Sequence, residues 1–132
     1  MLTIKEFWQE FLTTTNKDNT TNYIESFHFD LTEEVANGLL ELVLSGVKQA
    51  TASSLLAYEC KAERIPQIGD YSIVTDWSGN PRCIIETTNI SILPFNEITF
   101  DICRREGEDD TLESWQRSHR RFFADESKIL GY

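Results

Sequence analysis

Two short segments carry the residue types that chemistry needs. Gly46-Val47-Lys48-Gln49-Ala50-Thr51 sets an ammonium group three positions before a hydroxyl. A lysine in a desolvated pocket loses proton affinity and serves as a base or electrostatic stabiliser, while a threonine hydroxyl is a nucleophile once a partner takes its proton. The same spacing also describes a solvated lysine beside a capping threonine. In the second segment, Glu106-Gly107-Glu108-Asp109-Asp110, four carboxylates crowd around a glycine. Their mutual repulsion raises the proton affinity of one member into the range useful for general acid-base work. Acidic residues also collect ahead of helices because the N-terminal dipole favours them, so helix initiation accounts for part of the cluster without any chemistry.

Other chemistries find less support. His119 shares a helical face with Leu112, Trp115 and Phe122, which reads either as a satisfied, partly buried histidine or as a catalytic base. His28 has no evident partner, and neither His-x-x-x-His nor Cys-x-x-Cys occurs, so no metal site is expected. There is no Gly-rich phosphate loop, Walker-type lysine or nucleophile elbow, and no cofactor is expected. Cys60, Cys83 and Cys103 are odd in number and widely spaced, the pattern of buried free thiols. Tyr58, Tyr71 and Trp77 could stack bases, but aromatics at strand positions more often fill a core.

The net charge of -10 works against general attraction to polyanions and suits a neutral small substrate. Arg104, Arg105, Arg117, Arg120 and Arg121 gather in the C-terminal third, however, and a local basic patch there keeps RNA as a second class of partner.

These segments need elements to hold them. A chain of 132 residues, 40% hydrophobic and 26% charged, is long and apolar enough to bury one core without disulfides. Thr3 and Glu6 form a capping box for a first helix over 3–12, with Ile4, Phe7, Trp8 and Phe11 on its apolar face. Thr13 to Asn22 reads as a polar loop. A second helix starts at a Thr32 cap, carries Val35, Leu39, Leu42 and Val43 at helical spacing, and stops at Gly46. Lys48 and Thr51 then fall in the turn leaving that helix.

Four strand-like runs follow, Ser53 to Tyr58, Tyr71 to Thr75, Arg82 to Ile92 and Ile98 to Cys103, which predict an antiparallel meander with a turn at Asp76–Asn80. A third helix begins near Asp110, with Glu113 as its capping partner, and packs Trp115, His119 and Phe122 on the sheet. The order predicts an α+β domain over 1–132. No run of roughly 18 apolar residues spans a membrane, and Lys5, Glu6 and Glu10 interrupt the N-terminus, so a cytoplasmic protein is expected.

Several motifs occur in order: Gly46-x-Lys48, Ala50-Thr51, Pro66-x-x-Gly69-Asp70, and Glu106-Gly107-Glu108-x-Asp110-x-Leu112-x-x-Trp115-x-x-x-His119-x-x-Phe122-Phe123. Together they resemble the ASCH superfamily, in particular its small bacterial single-domain members. The resemblance implies a PUA-like fold, a curved antiparallel β-sheet or small β-barrel flanked by helices, with the 3–12 helix as an accessory. It also implies the activity of N4-acetylcytidine amidohydrolases, with Lys48, Thr51 and Glu108 as the catalytic set and a nucleoside-like small molecule as ligand. Gly46 and Glu106 are then expected to contact substrate. The arginine that usually follows Gly-x-Lys has no counterpart in Ala52-Ser53-Ser54-Leu55, which leaves Arg82 and Arg104 to replace it. The alternative reading is a non-catalytic RNA-binding module. Similar proteins continue past Tyr132 with a barrel-closing strand, so an open sheet edge and a homodimer through it are further expectations.

Overall fold

The computed structural model describes residues 1–132, which divide into two compact units. The first unit joins Met1–Leu40 with Pro66–Ile90, and the second joins Glu41–Ile65 with Ser91–Tyr132. The elements in chain order are α1 (Ile4–Thr14), β1 (Glu25–Phe27), α2 (Glu33–Leu44), α3 (Leu55–Cys60), β2 (Tyr71–Thr75), β3 (Pro81–Glu86), α4 (Phe100–Cys103) and α5 (Leu112–Leu130). Short 3-10 turns cover Phe95–Glu97 and Arg104–Glu106. The α+β class follows directly.

In the first unit the capping box forms as expected. The Thr3 hydroxyl accepts from the Glu6 amide at 3.1 Å, and the Glu6 carboxylate accepts from the Thr3 amide at 3.0 Å. So started, α1 turns Trp8 and Leu12 onto Ile73 of β2, with Phe7, Phe11, Tyr23, Tyr71 and Ile84 around them. The Trp8 indole donates to the Thr21 carbonyl at 3.2 Å, which ties the polar loop to the helix. Tyr71 is therefore part of this packing.

The sheet has three strands in the order β1-β2-β3 and is open at both edges. β2 and β3 form the expected antiparallel hairpin, and its turn is held by Asp76, whose carboxylate accepts from the Asn80 amide at 2.9 Å. The antiparallel meander needs correction on other counts. β1 runs parallel to β2, pairing Ser26 with Ile73. At three residues it is too short to show alternation in the sequence. Ser53–Tyr58 contains no strand, because α3 takes over at Leu55. Leu55, Leu56 and Ala57 are strong helix formers, and short apolar runs do not distinguish strand from helix by period. Ile98–Cys103 holds α4 instead of a strand, and β3 stops at Glu86, short of Ile92.

In the second unit α5 is the long element, 19 residues, with Trp115 and His119 buried on one face. Its cap is Thr111, whose side chain accepts from the Ser114 amide, and not the expected Asp110–Glu113 pair. Phe95 stacks on Trp115 with ring centroids 5.5 Å apart. All three cysteines are free thiols, but only Cys103 is buried, Cys83 is half-buried and Cys60 is exposed. No helix is long and apolar enough to cross a membrane.

Candidate functional site

The site begins where α2 ends. Gly46 adopts φ +81°, a left-handed conformation that glycine takes without a Cβ penalty. The amides of Val47 and Lys48 then both reach the Leu42 carbonyl at 3.0 Å, which fixes the chain reversal. Gln49 donates its amide to the Arg105 carbonyl at 2.7 Å, so this loop docks on the 3-10 turn at Arg104–Glu106. Gly107 makes that docking close. At φ +70° a Cβ there would stand 2.7 Å from Val47 Cγ1 and 2.8 Å from the Val47 carbonyl oxygen.

Lys48 points into the interior created by the docking, and its side chain is only 2% exposed. Its Nζ donates to Glu108 Oε2 at 2.7 Å and to the Ala50 carbonyl at 2.8 Å, and lies 3.8 Å from Glu106 Oε1. Glu106 is held on its far side by α5. The Trp115 indole donates to Glu106 Oε2 at 2.6 Å, and His119 Nε2 meets Oε1 at 3.1 Å. The His119 ring lies against the Trp115 indole with centroids 4.1 Å apart and planes 21° apart. All buried polar side-chain atoms have partners. That agrees with the high cost of leaving such atoms unpaired.

The two carboxylates flanking Gly107 diverge in proton affinity. Burial pushes Glu106 up, but His119, Lys48 and Trp115 outweigh it and hold Glu106 below the usual carboxylate range. Glu108 is also pushed up by burial, and the pull of Lys48 does not cancel that shift, to which the charge of Glu106 adds. Burial depresses His119, yet the hydrogen bond and charge of Glu106 prevail and raise it. Glu106 is therefore a fixed anion, while Glu108, with its side chain 20% exposed, is a group that can exchange a proton.

Glu106, Glu108 and His119 each offer a ligand atom, all within 4.8 Å of one another. The ammonium of Lys48 already stands between the two carboxylates, where a metal cation would have to sit, and repels one. The donor set does not read as a metal centre.

Of the residues singled out from the sequence, Lys48, Glu106 and Glu108 come together. Thr51 follows Ala50, whose carbonyl Lys48 holds, but Thr51 is exposed and its hydroxyl makes no hydrogen bond. Gly46 shapes the loop. Arg104 is exposed and pairs with Asp101 at 3.2 Å, and Arg82 is an exposed residue of β3 in the first unit. Asp109 accepts from the Ser114 hydroxyl at 2.6 Å, at the start of α5. The sequence offered His119 either as a satisfied histidine or as a base, and Trp115 only as its neighbour on the helix. Their four-residue spacing put them on one helix face, but nothing local pointed to Glu106 as their acceptor.

Residues 25–132 match the family model of the ASCH domain. The chain belongs to the ASCH domain family. The matched span includes Lys48, Glu106, Glu108 and His119. Among solved structures, this ASCH chain is similar to a protein of Enterococcus faecalis, with 35% identity and a TM-score of 0.87 over 98% of this chain and 77% of that one. It is likewise similar to an ASCH domain from Lactobacillus crispatus, with 35% identity and a TM-score of 0.85 over 96% of this chain and 82% of that one. No curated protein matches it.

Proposed function

We propose that this ASCH domain is an amidohydrolase that removes the acyl group from an N-acylated nucleoside such as N4-acetylcytidine. The observation that carries the reading is the Lys48–Glu108 contact at 2.7 Å, which couples a buried ammonium to a partly open carboxyl of raised proton affinity. A carboxyl of that kind is suited to take a proton and return it.

In the proposed reaction Glu108 takes the Thr51 hydroxyl proton as Oγ attacks the acyl carbon. The Lys48 ammonium stabilises the negative charge that develops on the acyl oxygen. The C–N bond then breaks, and Glu108 delivers its proton to the departing nitrogen. Water hydrolyses the resulting threonyl ester, which releases the carboxylic acid and restores the hydroxyl. Residues 52–56 line an open cleft of about 410 Å³ together with Leu93, Phe95, Trp115 and Arg120; it neighbours Thr51 in the chain, and Lys48, Thr51 and Glu108 are not among its lining residues. Its apolar walls and few polar groups suit a neutral planar ligand.

Chromatography of N4-acetylcytidine incubated with the protein tests the reading. Cytidine and acetate should appear with the unaltered chain, fall by roughly a hundredfold with Glu108→Gln, and be lost with Thr51→Ala. Intact N4-acetylcytidine after incubation with the unaltered chain would overturn the assignment.

One observation favours the RNA-binding alternative: Arg104, Arg105, Arg117, Arg120 and Arg121 are all exposed in the second unit. Under that reading, affinity for single-stranded RNA falls steeply with salt and each arginine removed flattens the dependence.

A further inference from the structure

We infer that His119 is a positioning residue for the Lys48–Glu108 pair and acts through Glu106: as an imidazolium it supplies the charge Glu106 needs, which leaves Lys48 committed to Glu108. The effect on turnover rests on the amidohydrolase reading above. The protonation state rests on geometry.

Hydrogen-bond accounting places the proton. His119 Nδ1 lies 2.9 Å from the Trp115 backbone carbonyl, which only accepts, and 3.2 Å from the Ser118 hydroxyl oxygen, whose own proton goes to that same carbonyl at 3.1 Å, so Nδ1 carries hydrogen. Nε2 lies 3.1 Å from Glu106 Oε1, and an ionised carboxylate also only accepts. A neutral imidazole has one N–H, so a second proton must sit either on Nε2 or on the Glu106 carboxyl. Glu106 Oε2 receives the Trp115 indole N–H at 2.6 Å, and the Lys48 ammonium is 3.8 Å from Oε1. Both favour the ionised carboxylate, which assigns the proton to Nε2. The ring faces the Trp115 indole at 4.1 Å, a contact that attracts a cation.

The charges then balance as two carboxylates against two cations. The groups facing His119 are Glu106 from the 3-10 turn, Glu108 and Lys48 beyond it, and Ser118 and Trp115 on its own helix. Asp109 lies 3.4 Å from the Ser118 hydroxyl, and the Cys103 thiol is also near Glu106. Without the imidazolium charge, Glu106 competes with Glu108 for the one remaining ammonium. Lys48 then shifts toward Glu106, and Glu108 binds its proton more tightly.

The chain has two histidines, His28 and His119, so the ring nitrogens of His119 in a 15N-labelled sample are assigned by their loss in His119→Gln. Both should be protonated at neutral pH in the unaltered protein, and Glu106→Gln should lower their titration by about one pH unit or more. A neutral ring with an unprotonated Nε2 at neutral pH overturns the inference. This spectrum needs no substrate, so it decides the protonation state even if N4-acetylcytidine is not cleaved.

The pH profile of kcat/KM then tests the effect on the site. His119→Gln keeps an N–H that reaches Glu106 but removes the charge, and the acid limb set by Glu108 should move up by about one pH unit. An acid limb that stays in place with His119→Gln shows a merely structural histidine and overturns the positioning role.

Discussion

Replacing Gly107 with alanine loads two separate costs onto one methyl group. The residue sits at φ +70°, where an L-residue loses about 1–2 kcal/mol relative to its ordinary conformations. The methyl would also stand 2.7 Å from Val47 Cγ1, 2.8 Å from the Val47 carbonyl oxygen and 3.0 Å from its carbonyl carbon. The Cγ1 contact is relieved by rotating the valine, whereas the carbonyl is pinned. Val47 donates to Leu42, and the neighbouring Gln49 amide donates to Arg105 at 2.7 Å. Relief therefore requires the two loops to separate, an overpacking cost of about 1–3 kcal/mol. The sum is about 2–5 kcal/mol.

Gly46→Ala isolates the first cost, because Gly46 has φ +81° and nothing within 4 Å of its added Cβ. Urea unfolding followed by circular dichroism should place Gly107→Ala about 1–3 kcal/mol below Gly46→Ala. If the two variants agree within about 0.5 kcal/mol, the approach is not tight, and the claim that Gly107 makes the docking of the two loops close fails.

Lys48→Met should cost about 3–5 kcal/mol in chemical denaturation, since it leaves Glu106 and Glu108 sharing a buried site without their ammonium. Combining it with Glu108→Gln should cost less than the sum of the two single changes, because each removes the other's partner. His119 has its proton affinity raised above the ordinary value of 6.5, so its contribution to stability is fully present below that pH and is lost as pH rises through the folded value. The stability difference between the unaltered chain and His119→Gln should therefore shrink on the alkaline side, and a difference that grows there refutes the sign. Thr111→Ala removes the α5 cap and should lower stability by about 1 kcal/mol, read from the urea midpoint.

What was legible in the sequence is what is decided locally. The Thr3–Glu6 box, the Gly46 stop and the Asp76–Asn80 turn each depend on residues within a few positions of one another, and each forms. The three-residue β1 and the helices over Leu55–Cys60 and Phe100–Cys103 do not announce themselves, because a short apolar run looks alike in either period. The Lys48 and Glu108 side chains meet across a separation of 60 residues. Spacing cannot place such a contact, and it entered only through the ordered motifs of the family resemblance. Thr51 was visible by type and spacing beside Lys48, but spacing did not show that its hydroxyl is exposed.

The acidic turn shows why carboxylates of one type, two positions apart, can do different work. Glu106 closes a 3-10 turn, and the left-handed Gly107 redirects the chain before Glu108. Glu106 faces α5, where an indole and an imidazole hold its two oxygens, and its side chain is 5% exposed. A carboxylate so held cannot gain a proton without losing those contacts, so it serves as a fixed charge. Glu108 has the Lys48 ammonium as its strong partner and keeps an opening to solvent. Burial without enough compensation raises its proton affinity, and the opening lets a proton arrive and leave. The helix-initiation account of the cluster thus falls to Asp109 and the neighbouring Thr111 cap, while the two buried carboxylates on either side of the glycine differ in partner and in proton affinity.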